Sequence, residues 1–142
     1  MNRLFTFIAT ALIFCAGNQT KVKAETMDKE IKLVQDWDKT FPKSEKVKHE
    51  KVTFKTQYGL TLAADLYIPK NAEGKLPAIA VSGPFGAVKE QCSGLYAQTM
   101  AERGFITIAF DPSFTGESSG EPRRTASPDI NTEDFLAAVD YL

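Results

Sequence analysis

Two short segments of this chain contain residues that could take part in acyl transfer. The first is Gly116 to Gly120, which matches G-x-S-x-G, a pattern that in many serine hydrolases holds the nucleophile on a strained turn between a strand and a helix. That turn needs a strand running straight into its first glycine and a helix leaving its last. Here residues 111–115 separate the predicted strand from Gly116, and Pro122 disfavours an early helix. We therefore expect Ser118 to lie in a flexible polar loop and not to be a nucleophile.

The second segment is Ser82 to Gly86, which follows a short apolar run. If that run is a parallel strand, the loop lies at its carboxyl end, where open α/β sheets bind their ligands. Pro84 has no N–H, so the backbone amide of Phe85 is the free donor nearest the strand and a candidate for holding an oxyanion. An ordinary glycine-containing turn is the alternative interpretation.

Three further residues have side chains that could react. His49 is the single histidine, but it precedes every candidate serine and lies in a lysine-rich strand, so we expect an exposed strand residue. Asp111 could be an acid or base, but Asp before Pro is also a common turn opener, which we favour. Cys92 lies near a predicted helix start that could activate it, yet we expect a packed thiol. One histidine without a cysteine cluster predicts no zinc site, and we expect no cofactor.

The elements that must position these residues can be read from hydrophobic periodicity. Residues 51–55 and 62–68 alternate polar and apolar, which predicts an antiparallel hairpin with one face of each strand in water. The runs 78–81 and 105–110 are almost continuously apolar, as in parallel strands buried on both faces. A predicted helix from Glu90 to Arg103 joins them, and Gly104 suits the left-handed position after it, so Leu76 to Asp111 is predicted to be a βαβ unit.

A last helix is predicted near the end of the chain. Asn131 or Thr132 could cap it, and an apolar stripe follows at helical spacing, formed by Phe135, Ala138, Val139 and Leu142. Such a stripe needs a sheet to pack on. Because the sequence stops inside the pattern, we expect the chain to be truncated.

The first segments are predicted to lie outside the catalytic fold. Residues 1–24 have the charged, apolar and polar layout of a secretory signal, with cleavage expected after Ala24, so the protein is expected to be exported to the periplasm or secreted. Residues 25–46 are predicted to be an N-terminal arm with a short amphipathic helix, marked by Ile31, Val34 and Trp37. Residues 47–142 would then form one partial domain.

The overall composition narrows the class of protein. The chain is 43% hydrophobic and 25% charged, as in ordinary globular proteins, and its formal net charge is −1. Lysines between residues 29 and 55 are interleaved with acids, which argues against a nucleic-acid site. Once the signal is removed we expect no membrane association. Only Cys92 would remain, so no internal disulfide is expected.

Taken together, segments 82–91, 101–105 and 109–118 resemble the α/β-hydrolase superfamily, more narrowly its exported dienelactone-hydrolase-like and peptidase-like bacterial members. The resemblance covers residues 47–142 and implies a three-layer α/β sheet, with antiparallel first strands and then a parallel βαβ unit. It also implies that the loop at Ser118 precedes the nucleophile strand. Only the Phe85 backbone N–H then carries over, as an oxyanion-hole donor, while the nucleophile, acid and histidine would lie beyond Leu142.

The function implied by this resemblance is hydrolysis of small-molecule esters or related carboxyl derivatives by the complete protein. The chain by itself would be inactive. The alternative is a small exported, non-catalytic module that binds a ligand or partner through Gly83 to Gly86.

Overall fold

The computed structural model describes residues 31–142, so the predicted signal peptide and residues 25–30 of the arm lie outside the described residues. The described part contains four strands and two helices, and neither helix is long and apolar enough to cross a membrane. In chain order they are β1 (Val47–Lys55), β2 (Thr61–Pro69), β3 (Ala78–Val81), α1 (Cys92–Ala101), β4 (Ile106–Phe110) and α2 (Pro128–Tyr141).

All four strands form one mixed sheet with the order β1-β2-β4-β3. β1 and β2 pair antiparallel over their full length, from Val47 opposite Pro69 to Lys55 opposite Thr61. β4 pairs antiparallel with β2 and parallel with β3. The predicted hairpin and the predicted βαβ unit are both confirmed. The connection through α1 places β3 outside β4, so the carboxyl ends of these two parallel strands lie side by side.

The burial of two strands differs from the sequence-based expectation. β2 was predicted to have one face in water, but Ala63 and Asp65 on that face are fully buried, because β2 lies inside the sheet and α1 packs over it. β3 was predicted to be buried on both faces, but Ala78 is exposed and the rest of the strand is half-buried. Among the described residues β3 pairs only with β4, which makes it an edge strand.

α1 packs on the sheet through its smallest residues. Ala97 and Ala101 pack against Ala109 of β4, and a Cβ at the buried Gly94 would collide with the Lys89 carbonyl and the Phe41 ring. The helix is shorter than predicted at both ends. It stops before Gly104, which has the expected positive φ of 98° and donates its N–H to the Ala101 carbonyl at 3.0 Å.

α2 begins earlier than predicted, with Pro128 in its first turn and Ser127 just before it, so the caps predicted at Asn131 or Thr132 are wrong. Proline suits a helix start because its missing N–H would have no helical partner there.

The predicted apolar stripe of α2 is confirmed for half of its residues: Ala138 and Leu142 pack on the core, whereas Phe135 and Val139 are 43% and 59% exposed. Two acids face inwards. Glu133 accepts the Gln57 backbone N–H at 2.8 Å, and Asp134 accepts the Ser113 N–H at 2.8 Å. These hydrogen bonds fix the rotation of the helix about its axis, with Ala137, Ala138 and Leu142 on the core.

The N-terminal arm contains no helix between residues 31 and 46, which corrects the predicted amphipathic helix there. Trp37 anchors the arm: its indole N–H donates to the Phe41 carbonyl at 2.8 Å, and its ring packs edge-on against Phe41 and His49. The Thr40 N–H donates to the Glu90 carbonyl at 3.0 Å. The Thr40 N–H, which a helix would have used in its own hydrogen bonding, is therefore bonded to the domain.

The loop after β4 is held against the sheet. β4 stops opposite Ala64, and residues 118 and 119 continue beside β2 in its place. Ser119 exchanges hydrogen bonds with Thr61: its N–H donates to the Thr61 carbonyl at 2.8 Å, and its Oγ accepts the Thr61 N–H at 2.7 Å. The loop thereby satisfies β2 backbone groups that would otherwise be buried without partners.

Gly116 provides a test of this packing. A Cβ at Gly116 would lie 2.1 Å from Asp111 Oδ2, whereas a Cβ at Gly59 would meet nothing within 4 Å. Both glycines have positive φ, so alanine costs about 1 kcal/mol of backbone strain at either position. We expect Gly116→Ala to lower the free energy of unfolding by at least about 2 kcal/mol more than Gly59→Ala, because only it overpacks a buried carboxylate. Urea unfolding followed by Trp37 fluorescence measures both, and equal losses would contradict this account of the loop.

Candidate functional site

The candidate site is a cleft at the carboxyl ends of β3 and β4. Its volume is about 130 Å³, and it is lined by Phe85, Ser82, Ser113, Thr115, Asn131 and Phe135, among others. Ser82 Oγ and Asn131 Oδ1 are buried there and have no hydrogen-bond partner among the described residues. A cleft at this end of a parallel strand pair is where an α/β sheet binds its ligand.

The loop that carries Phe85 forms a tight turn over this cleft. The Ala87 N–H donates to the Pro84 carbonyl at 2.9 Å, and Gly86 takes a φ of 82°, which other residues adopt with strain. Phe85 is 77% exposed, and within residues 31–142 its amide makes no hydrogen bond. Phe85 therefore lines the cleft and carries an unused backbone donor, and an oxyanion site needs such a donor.

Ser118 does not lie in this cleft and is only 2% exposed. Its hydroxyl donates to the Asp111 carbonyl at 2.6 Å and accepts the Ala63 N–H at 2.9 Å. The hydroxyl links the end of β4 to β2, a structural position that supports our expectation that it is not a nucleophile. The predicted flexible loop is wrong, because buried hydrogen bonds fix it on both sides.

Asp111 is fully buried and serves as a structural acceptor, in line with the turn-opening role that we favoured. One carboxylate oxygen accepts the Lys89 backbone N–H at 2.8 Å. The other accepts the Lys89 ammonium and the Glu117 N–H, each at 2.9 Å. Asp111 thereby links Lys89, which follows the Phe85 loop, to Glu117, which precedes Ser118.

The ammonium of Lys89 lies at the centre of three carboxylates and has no exposed surface. Asp111 and Glu117 approach it at 2.9 and 2.7 Å, and Glu90 completes the set. These three carboxylates are close enough together to hold a metal ion, but the lysine provides the cation. Burial alone would lower the pKa of Lys89, but the charge of Asp111 and hydrogen bonds to the acids raise it above its usual value. No residue pattern around Lys89 indicates that its side chain is buried.

His49 is not the exposed strand residue that we predicted. Its ring lies between Trp37 and Tyr67, with centroids 5.1 Å from each, and its Nε2 is 2.7 Å from Asp65 Oδ1. The ammonium of Lys39 lies 3.0 Å from the other oxygen of Asp65, and both of these side chains are fully buried. A carboxylate in the middle of an otherwise apolar strand was the signal for this pair. His49 does not line the cleft.

Asp38 connects this group to the Lys89 cluster. It pairs with Lys39 and Lys51, each at 3.0 Å, and Lys51 lies 3.7 Å from Glu117. Partial burial opposes the charge of Asp38, but the two lysines lower its pKa to about 2. For Glu117, burial is likewise outweighed by the hydrogen bonds from Lys89 and the Val34 N–H, so its pKa is lowered. One chain of charges thus joins the arm, the sheet and the loop after β4.

Cys92 is exposed at the first residue of α1, so the predicted packed thiol is wrong. It does not line the cleft. Of the residues proposed from the sequence, Phe85 lines the cleft together with the rest of the Gly83 to Gly86 loop, whereas Ser118, Asp111, His49 and Cys92 do not.

The lowered pKa of Glu117 predicts a stability that depends on pH. The folded protein keeps this carboxylate charged to a lower pH than the unfolded chain does. Its contribution is therefore present above the ordinary pKa of glutamate and lost as the pH falls through the lowered value. We expect Glu117→Gln to lower the free energy of unfolding by about 1–2 kcal/mol at pH 7 and to differ less from the parent at pH 3.

The matched control is Glu73→Gln, which removes an exposed carboxylate from a turn. Urea titrations at the two pH values should leave this control close to the parent at both. A Glu117→Gln difference that is unchanged at pH 3 would show that its ionised form does not stabilise the fold.

Comparison with known proteins places this geometry in a family. Residues 58–142 match the X-Pro dipeptidyl-peptidase family, S15. The uncharacterised protein PA2218 of Pseudomonas aeruginosa is 63% identical over an alignment that covers 95% of this chain and 38% of that protein. Its crystal structure superposes with a TM-score of 0.76 and 73% identity, over 78% of this chain and 35% of the other.

Two fungal proteins are more distant. The thiohydrolase aneE of Aspergillus aculeatus is 34% identical over 70% of this chain and 30% of its own length. The α/β-hydrolase GrgF from a Penicillium species superposes with a TM-score of 0.60 at 30% identity, over 66% of this chain and 32% of that chain. The chain thus spans between 30% and 38% of the length of the curated relatives named here. The chain belongs to the X-Pro dipeptidyl-peptidase (S15) family, and its described residues have the α/β-hydrolase fold.

Proposed function

We propose that this chain is the oxyanion-binding, N-terminal portion of an exported hydrolase that acts on esters or related carboxyl derivatives. The observation that supports this most directly is the unused Phe85 N–H at the mouth of a cleft at the carboxyl end of β3. Similarity to a thiohydrolase and to an α/β-hydrolase supports the reaction class.

The proposed reaction is acyl transfer in two steps. A serine or cysteine nucleophile attacks the carbonyl carbon, and the carbonyl π electrons move to oxygen, which the Phe85 N–H stabilises as one of two donors. The tetrahedral intermediate collapses and expels the alcohol or thiol, which takes up a proton. Water then releases the acid from the acyl-enzyme by the same sequence. In this proposal the nucleophile and its base come from parts of the complete protein outside the segment aligned here, which covers 38% of PA2218.

The chain alone is proposed to lack this activity. Its single histidine is engaged with Asp65, and its motif serine is engaged with two backbone groups. Neither lines the cleft that holds Phe85. Positioned donors without a nucleophile and base provide no acyl-transfer pathway.

A chimera tests the role of Phe85. Residues 25–142 of this chain would replace the aligned segment of PA2218, and hydrolysis of p-nitrophenyl acetate would be compared with that of intact PA2218. Phe85→Pro removes the amide hydrogen at a turn position that accepts proline. We expect kcat of the chimera to fall about 100- to 1,000-fold with this change, the usual cost of losing one oxyanion donor.

Phe85→Ala is the matched control, because it removes the same exposed ring but keeps the N–H. It should lose far less activity than the proline variant. Equal losses would mean that the ring, and not the amide, matters. The proposal would be overturned if the chain alone hydrolysed the ester and Ser118→Ala abolished that activity. If the chimera were inactive while intact PA2218 was active, a non-catalytic binding module would be favoured.

Export rests on the residue pattern of positions 1–24. Expression in a Gram-negative host should give a periplasmic or secreted protein whose first residue is Glu25, as determined by intact mass. Ala24→Phe should block cleavage, because a small residue is needed at that position. Full-length protein retained in the cytoplasm would contradict export.

A further inference from the structure

A second cavity, of about 540 Å³, adjoins the cleft. Phe85, Gly86 and Thr115 line both, so the two spaces meet at these residues. Phe114, Arg123 and Arg124 also line the second cavity. None of its lining residues is acidic, so the cavity carries positive charge only.

The two arginines are used differently. The Arg123 guanidinium donates to the carbonyls of Gly116, Ser118 and Gly120 and so holds the loop. The Arg124 side chain is exposed and makes no hydrogen bond or ion pair with any residue between 31 and 142. The neighbouring acid, Glu121, accepts the backbone N–H of Arg123 at 3.1 Å. Arg124 therefore presents an unpaired cation at the cavity.

The backbone holds Arg124 in a costly conformation. Its φ is 62°, and that of Phe114 is 69°. The left-handed region costs a non-glycine residue about 1–2 kcal/mol. The Arg124 N–H donates to the Phe114 carbonyl at 2.9 Å, which ties the two strained residues together. Such strain concentrates at functional sites, where a side chain must be held in one place.

We propose that Arg124 binds a carboxylate carried by the substrate, so that the substrates are esters with a free carboxylate, such as monoesters of dicarboxylic acids. The inference rests on the proposed function for the position of the ester carbonyl, at the Phe85 N–H. The carboxylate would then lie in the adjoining cavity. A guanidinium suits this role because its parallel N–H donors match the two oxygens of a carboxylate.

The test uses the full chain and two probes that differ in one charge. Monoethyl glutarate and the neutral diethyl glutarate are titrated into ¹⁵N-labelled protein, and the amide shifts of Phe85, Gly86 and Thr115 are followed. We expect saturable shifts with the monoester, and an affinity for it that Arg124→Gln weakens roughly tenfold. Arg103→Gln, which removes an exposed arginine after α1, should leave that affinity unchanged. Monoethyl succinate and adipate report the best spacing between carbonyl and carboxylate.

Three results would overturn the proposal: no saturable shift with the monoester, equal affinity for the diester, or equal weakening by the two arginine substitutions. Unchanged amide dispersion in Arg124→Gln shows that the fold is intact. The PA2218 chimera separates this inference from the proposed function. If the chimera hydrolyses p-nitrophenyl acetate but its transplanted segment binds the monoester and the diester with equal affinity, only the role of Arg124 is refuted. If the chain binds the monoester, but the chimera is inactive while intact PA2218 is active, only the proposed hydrolase function is refuted.

Discussion

The buried ammonium of Lys89 is the constraint on which the site region depends. An unpaired ammonium without exposure to water would cost several kcal/mol, so its carboxylate partners must stay in place. Asp111 binds both the ammonium and the backbone N–H of Lys89, and also the N–H of Glu117. Glu117 in turn accepts the Val34 N–H of the arm at 2.8 Å. One lysine thus connects the end of the Phe85 loop, the loop after β4 and the N-terminal arm.

This constraint explains the G-x-S-x-G letters without a nucleophile. Gly116 is needed because any Cβ would collide with the Asp111 carboxylate, and Gly120 because a Cβ would lie 2.4 Å from the Phe114 ring. Ser118 is needed as a hydrogen-bonding link between β4 and β2. Close packing and hydrogen bonding therefore account for the G-x-S-x-G spacing at residues 116–120, so the motif here does not require a catalytic serine.

Much of the fold could be predicted because short-range patterns carry it. Alternation marked the hairpin, continuous apolar runs marked the βαβ unit, and Gly104 marked the end of α1. Two of the errors come from long-range polar contacts. The hydrogen bonds of Glu133 and Asp134 orient α2 so that Phe135 and Val139 are exposed, and Asp65 draws His49 out of solvent. Neither effect has a period in the sequence. The position of the Phe85 loop beside the cleft was predictable because it follows from the strand before it, whereas the position of Arg124 depends on a strained loop conformation that no residue type indicates.

The structural role of Ser118 is the central claim, because it explains the G-x-S-x-G motif by packing and not by catalysis. Labelling of the folded chain with a fluorophosphonate, which modifies activated serines, followed by peptide mass spectrometry, tests it most directly. If the Ser118 hydroxyl is a structural link, it should remain unmodified under conditions that label a known serine hydrolase completely. Stoichiometric modification of Ser118 would contradict its structural role.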